Sequence, residues 1–195
     1  MGVKVNEYER AFEGWLVENG VQYVMIDQAR RSLLARNRIK SFDFLLYPAG
    51  GGRESTGPAV IVAEVKGRKF KGKSVGGLTG LQCWVGMEDI RGLLRWQEQF
   101  DEPGEKAAAV IVFAYRFELP SVETDGREVY DFADHRYMFQ AVSVADYSVN
   151  MKVRSPRWQT VMLSADDFRR LAVPVRRLLT NSEQESFKRC LTPVM

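Results

Sequence analysis

Tyr8, Phe12, Trp15 and Leu16 recur at the three- and four-residue spacing that gathers side chains on one face of a helix. Asn6 can cap the start and Gly20 can stop the end, so residues 6–19 are predicted as the first helix. A β-branched run follows at 21–26. Residues 41–47 then alternate Phe42, Phe44 and Leu46 against Asp43 and Leu45, closed by Pro48, and read as a second strand. Residues 49–58 have the glycine-rich composition of a hairpin connection, and 59–66 form a third strand. Leu81, Trp84, Val85, Ile90, Leu93, Leu94 and Trp96 could line one side of a helix or of two broken helices over 81–100, with Gly86 and Gly92 arguing against a straight one. The apolar run 107–117 is predicted as a central strand covered on both faces. A fifth strand is expected at 136–144 and one more at 158–163. Ser164 would cap a helix over 165–171, and Pro174 would open the last one.

Helix, strand, strand, strand, helix, strand is the pattern of a three-layer α/β domain, a central mixed sheet flanked by helices. The 195 residues, 45% of them hydrophobic, suffice for one sizeable core, and the expectation is a single domain over 1–195. Its core would span about 6–145, with a helical and mixed extension over 146–195.

Charge changes the picture only locally. The formal net charge is +3, so attraction to nucleic acid must come from clusters. Arg30, Arg31, Arg36, Arg38 and Lys40 precede the second strand, and Lys66, Arg68, Lys69, Lys71 and Lys73 follow or end the third. The plainer reading of either run is a solvated face. The two cysteines, Cys83 and Cys190, form no CxxC pair and read as thiols of a reducing compartment. Residues 1–8 lack the apolar stretch of a secretory signal, and no apolar run approaches a bilayer's thickness, so a cytoplasmic protein without a membrane partner is expected.

The candidate chemistry lies on the second and third strands. Side chains at i and i+2 of a strand share a face, so Glu64 and Lys66 project together, and Asp43 can join them. Two carboxylates with a main-chain carbonyl, waters and a substrate phosphate suit magnesium, a hard ion that activates water for phosphodiester hydrolysis. An ammonium at Lys66 could assist that water and balance charge in the transition state. A Glu-x-Lys on a strand is also a common surface ion pair, worth less than ~1 kcal/mol. Against that, both acids are set in apolar strands, where an unpartnered charge is costly.

These residues resemble the PD-(D/E)XK, or restriction-endonuclease-like, nuclease superfamily. There a leading helix carries a glutamate, the second strand an aspartate and the third a Glu-x-Lys. Here the places are filled by Glu9 in Tyr8-Glu9-Arg10-Ala11-Phe12, by Asp43 in Ser41-Phe42-Asp43-Phe44, and by Glu64 and Lys66 in Val62-Ala63-Glu64-Val65-Lys66. The first helix is also similar to an uncharacterised planctomycete group known by the string His-Tyr-Glu-x-Ala-Phe-Glu, with Glu7 replacing the histidine. The superfamily resemblance implies a restriction-endonuclease-like core and cleavage of nucleic acid, DNA being the expected substrate, with Mg2+ as the ion and Mn2+ as its substitute. It implies that Asp43, Glu64 and the Val65 carbonyl are ligands and that Glu9 binds a second ion or orients water. Glu13, one turn on, is the reserve. Gln82 corresponds to a glutamine that some exonuclease branches place near the metal, although Gly86 stands where those branches have tyrosine. Arg68, Lys69, Lys71 and Lys73 would contact the phosphate backbone. Pairing of two copies to cut both strands is left open.

Two alternatives remain. A degenerate relative could bind nucleic acid or a protein without cutting. Residues 67–74 also fit the Walker A string G-x-x-x-x-G-K-[ST] after a strand. Val75-Gly76-Gly77 is poor material for the required helix, however, and no aspartate ends the next apolar strand. Trp15, Trp84, Trp96 and Trp158 could stack on bases, but three of them sit at helical spacing and read as core. One histidine, His135, and two scattered cysteines make a zinc site implausible.

Overall fold

The computed structural model describes residues 6–26, 40–49 and 57–179. The basic residues Arg30, Arg31, Arg36 and Arg38, most of the glycine-rich connection and Cys190 lie outside these residues.

Asn6 caps α1 (Glu7–Glu18), its side chain accepting the Tyr8 N–H, and Gly20 at φ 64° ends it in the left-handed conformation that glycine adopts without strain. Ala11, Phe12, Trp15 and Leu16 form its buried stripe, as the spacing predicts. Ten strands follow among the described residues: β1 (Gln22–Met25), β2 (Phe44–Tyr47), β3 (Val60–Phe70), β4 (Val85–Gly86), β5 (Ala107–Phe117), β6 (Tyr130–Phe132), β7 (His135–Ser143), β8 (Lys152–Ser155), β9 (Thr160–Met162) and β10 (Val173–Pro174). The other α-helices among the described residues are α2 (Met87–Phe100), α3 (Val144–Asn150), α4 (Ala165–Leu171) and α5 (Val175–Leu179).

The main sheet has the order β1-β2-β3-β5-β7-β10, with β6 on β7. β3 and β5 are parallel over eleven residues, which requires a crossover, supplied by the segment that carries α2. The other pairings are antiparallel. β5 is buried along its whole length, the doubly covered strand that its uninterrupted apolar run implies. On one face Ile61, Ala63 and Val65 pack with α1 and α5; on the other Val62 packs with Ile90 and Leu93 of α2, with α3 and α4, and with Val85 and Val161 of a small second sheet, β4-β9-β8. The result is a three-layer α/β fold with a mixed central sheet.

Two boundaries move in ways that matter for the site. β3 continues past Lys66 to Phe70, because β5 offers a partner for every residue up to Phe117, and the Phe70 and Phe117 rings close the end 5.8 Å apart. The helix expected over 81–100 begins only at Met87. Residues 81–84 have no regular secondary structure and β4 precedes the helix, after a 3-10 turn at Gly76–Leu78 and Gly80 at φ 74°. Gly92, which seemed a helix breaker, is instead a contact point: a Cβ there would lie 3.2 Å from the Lys40 carbonyl oxygen, so its absence lets α2 approach the Lys40 backbone.

Candidate active site

The ladder between β2 and β3 ends at the Phe44–Ala63 pair. Asp43, one residue before β2, still donates its N–H to the Ala63 carbonyl at 3.1 Å, and its Oδ2 accepts the Val65 N–H at 2.8 Å. The carboxylate thus takes the place that a backbone partner would hold had β2 continued. This fixes Asp43 beside the Glu64-Val65-Lys66 segment, at 4% exposure.

Residue parity sends Glu64 and Lys66 to the α2 face of the sheet, together with Val62. Lys66 Nζ lies 2.7 Å from Glu64 Oε1 and 2.9 Å from Oδ2 of Asp89, a residue of α2. Asp89 is the member that the sequence reading missed. It is 5% exposed, it ion-pairs with Lys40 through Oδ1, and its Oδ2 accepts the Gly86 N–H at 3.0 Å, capping α2. Lys40 is held in turn by Trp96 Nε1, which donates to its carbonyl at 2.8 Å. Burial, and next the positive charge of Lys66, push the Lys40 ammonium below the ordinary lysine range, against the opposing pull of Glu64, Asp43 and Glu88.

The structure therefore brings Asp43, Glu64 and Lys66 to one place, as expected, and adds Lys40 and Asp89. Three carboxylates formally face two ammoniums, an excess of negative charge that suits a cation. Hard oxygens of Asp43 and Glu64 with the Val65 carbonyl are the right donor chemistry for magnesium or manganese. Among the described residues, no three or more His, Cys, Asp and Glu side chains form a ready-made metal cage, so waters and substrate oxygens would have to complete the coordination.

Other candidate residues fall elsewhere. Glu9 and Glu13 lie on α1, whose apolar stripe packs against the opposite face of the sheet from Glu64 and Lys66; Glu13 accepts the Tyr23 hydroxyl at 2.9 Å. Gln82 is not on a helix but in the irregular segment before β4, and its carbonyl accepts the Tyr115 hydroxyl at 3.1 Å.

Of the basic four, Lys69, Lys71 and Lys73 are exposed, whereas Arg68 is a brace. Its guanidinium donates to the Gly67 and Trp84 carbonyls and lies 4.1 Å over the Trp84 ring, and burial lowers its pKa. The Walker-like string is divided: Gly67 to Phe70 are strand, and the chain after Lys73 is stitched to residue 123 by the Glu123 N–H to the Lys73 carbonyl and the Val75 N–H to the Glu123 carbonyl. No phosphate-cradling loop leads into a helix there, because parallel pairing with β5 keeps the first half extended. A groove of about 660 Å³ opens at this end of β3, lined by Tyr8, Lys69, Lys71, Gln82, Trp84 and Tyr115 among others.

Trp15 is core; Trp158, 70% exposed, lies in the turn before β9 and not in the strand expected over 158–163. Among the described residues no helix is long and apolar enough to cross a membrane. Neither a protein-family model nor a curated protein matches the chain.

Proposed function

We propose that this protein is a metal-dependent nuclease of the PD-(D/E)XK type that hydrolyses phosphodiester bonds, with DNA as its expected substrate. The observation that carries the reading is the pair of nearly buried acids, Asp43 and Glu64, set where β2 leaves β3, with Lys66 beside them. Acids are rarely buried unless paired or bound to a metal, and here three acids face only two ammoniums, Lys66 and the half-exposed Lys40.

In this reading Asp43, Glu64 and the Val65 carbonyl hold Mg2+ or Mn2+. When bound, such an ion polarises the phosphoryl oxygens and strengthens water as a nucleophile. Asp43 is kept in place by the Val65 N–H, so it is oriented before any ligand arrives. The Lys66 ammonium, positioned by Glu64 and Asp89, stabilises negative charge as it develops on the scissile phosphate. Asp89 acts through Lys66 and through the start of α2, as a positioning residue.

A second reading has its own observation. Lys66 is already closed onto Glu64 and Asp89, which is also how a purely structural ion cluster looks. A protein that binds nucleic acid without cutting it would keep that cluster.

Cleavage of end-labelled DNA separates the two. The nuclease reading expects cutting that needs Mg2+ or Mn2+, stops with EDTA, and is lost in Asp43→Asn and Lys66→Ala while circular dichroism stays native. Equal cutting by wild type and both folded variants would overturn the assignment.

A further inference from the structure

Trp158 is a large apolar side chain left in solvent, in a setting of positive charge. It lies in the turn between β8 and β9, with the Arg157 guanidinium 5.3 Å from its ring centre and with Lys152 and Arg154 on the exposed strand β8. No acidic residue occurs between Lys152 and Leu163, so the hairpin is basic throughout.

Two contacts place this hairpin beside the candidate site. The carbonyl of Gln159, next to Trp158, accepts the Met87 N–H at 2.8 Å. Met87 opens α2, two residues before Asp89, whose carboxylate holds Lys66. On the other side, the Arg154 guanidinium lies 4.8 Å over the ring of Trp84, which Arg68 also covers and which lines the groove with Lys69 and Lys71. The hairpin is thus tied at its turn to the acidic cluster and along β8 to the basic groove.

We propose that the β8–β9 hairpin is an arm that grips one strand of nucleic acid across the candidate site, with Trp158 stacked on an unpaired base. Arg154 and Arg157, with Lys69 and Lys71 of the groove, hold phosphates on either side. Basic residues track a backbone while an aromatic ring takes a base face, the combination that single strands require. A duplex buries its base faces in its own stack, so Trp158 would meet one only at an end or an opened site. Trp84 is not the stacking residue, because its ring already carries two guanidiniums. It anchors the arm to the groove instead.

The proposal deepens the nuclease reading by naming the form of its substrate, and rests on that reading for where a strand would be cut, not for how it is bound. The test is therefore made in EDTA, where no metal-dependent cleavage intervenes. Fluorescence anisotropy would compare labelled 20-nucleotide oligo-deoxythymidine, oligo-uridine and a blunt DNA duplex of the same length. Tighter binding of either single strand than of the duplex is expected, and the tighter of the two identifies the sugar. Trp158→Ala is expected to weaken single-strand binding about tenfold, with Trp158→Phe restoring most of it. Lys69→Ala and Lys71→Ala should each lower the slope of log affinity against log salt by about 0.7. The exposure of Trp158 makes a folding defect unexpected, and circular dichroism checks it. Duplex binding as tight as single-strand binding, or an unchanged affinity in Trp158→Ala, overturns the proposal. Absence of cleavage in a separate magnesium assay bears on the nuclease reading alone.

Discussion

Replacing Asp89 with alanine removes the charge that joins α2 to the candidate site. The side chain has three tasks: Oδ2 caps α2 at the Gly86 N–H and pairs with Lys66, while Oδ1 pairs with Lys40. Loss of the cap costs about 1 kcal/mol. Removing one partner of a buried pair costs about 3–5 kcal/mol, and the lower end applies here because Lys66 keeps Glu64. The Lys40 pair adds little, since that side chain is 44% exposed and water screens it. The sum is about 4 kcal/mol for Asp89→Ala. Asp89→Asn keeps an acceptor for Gly86 but loses the charge, so it should cost about 2–3 kcal/mol. Urea denaturation followed by fluorescence and circular dichroism measures both. A double-mutant cycle with Lys66→Met isolates the pair, with an expected coupling above about 1 kcal/mol. Asp89→Ala within about 1 kcal/mol of wild type, or no coupling to Lys66, would refute the account of how Lys66 is held.

Gly67→Ala would place a Cβ 2.2 Å from the Tyr8 ring, which packs edge-on against Tyr137, so the first turn of α1 must shift. A loss of about 1–3 kcal/mol is expected, largely recovered by combining it with Tyr8→Ala, and full stability of the single variant would contradict the packing. Glu128 is held below the usual carboxylate range first by its hydrogen bonds to Arg176, and the Trp15 indole N–H also donates to it. A depressed carboxyl pKa stabilises the fold above the unfolded value, near about 4.3, and the contribution fades as pH falls through the lower folded value. Glu128→Gln should therefore cost under ~1 kcal/mol at pH 7, as a partly exposed pair does, and the gap from wild type should close in acid. Denaturation at pH 7 and pH 3 reads this, and a gap that widens in acid would contradict it.

Much of the fold is written in local patterns. The stripe Tyr8, Phe12, Trp15 and Leu16 specifies α1 because one face of it is core, and the run from Ala107 to Phe117 specifies a strand because both its faces are buried. Asp43, Glu64 and Lys66 stand out for a related reason: charged residues interrupt apolar runs of sequence there. Asp89 did not stand out, because it follows Glu88 in a polar turn, and its burial comes from Lys40 and Lys66, which are distant in sequence. The one local signal was an acid three residues after Gly86, the position that caps a helix start. The extension of β3 to Phe70 was hidden behind charge: Arg68 and Lys69 look like loop until β5 supplies a register partner for each. The strand expected from Trp158 starts only at Thr160, because Gln159 turns the chain at φ 47°.

The most direct test of the central claim is anomalous diffraction from crystals grown with Mn2+ and a short oligonucleotide. The account predicts a manganese peak in contact with the carboxylates of Asp43 and Glu64 and the Val65 carbonyl, with Lys66 turned toward a phosphate. Manganese absent from that position, with Lys66 still closed on Glu64 and Asp89, would contradict it.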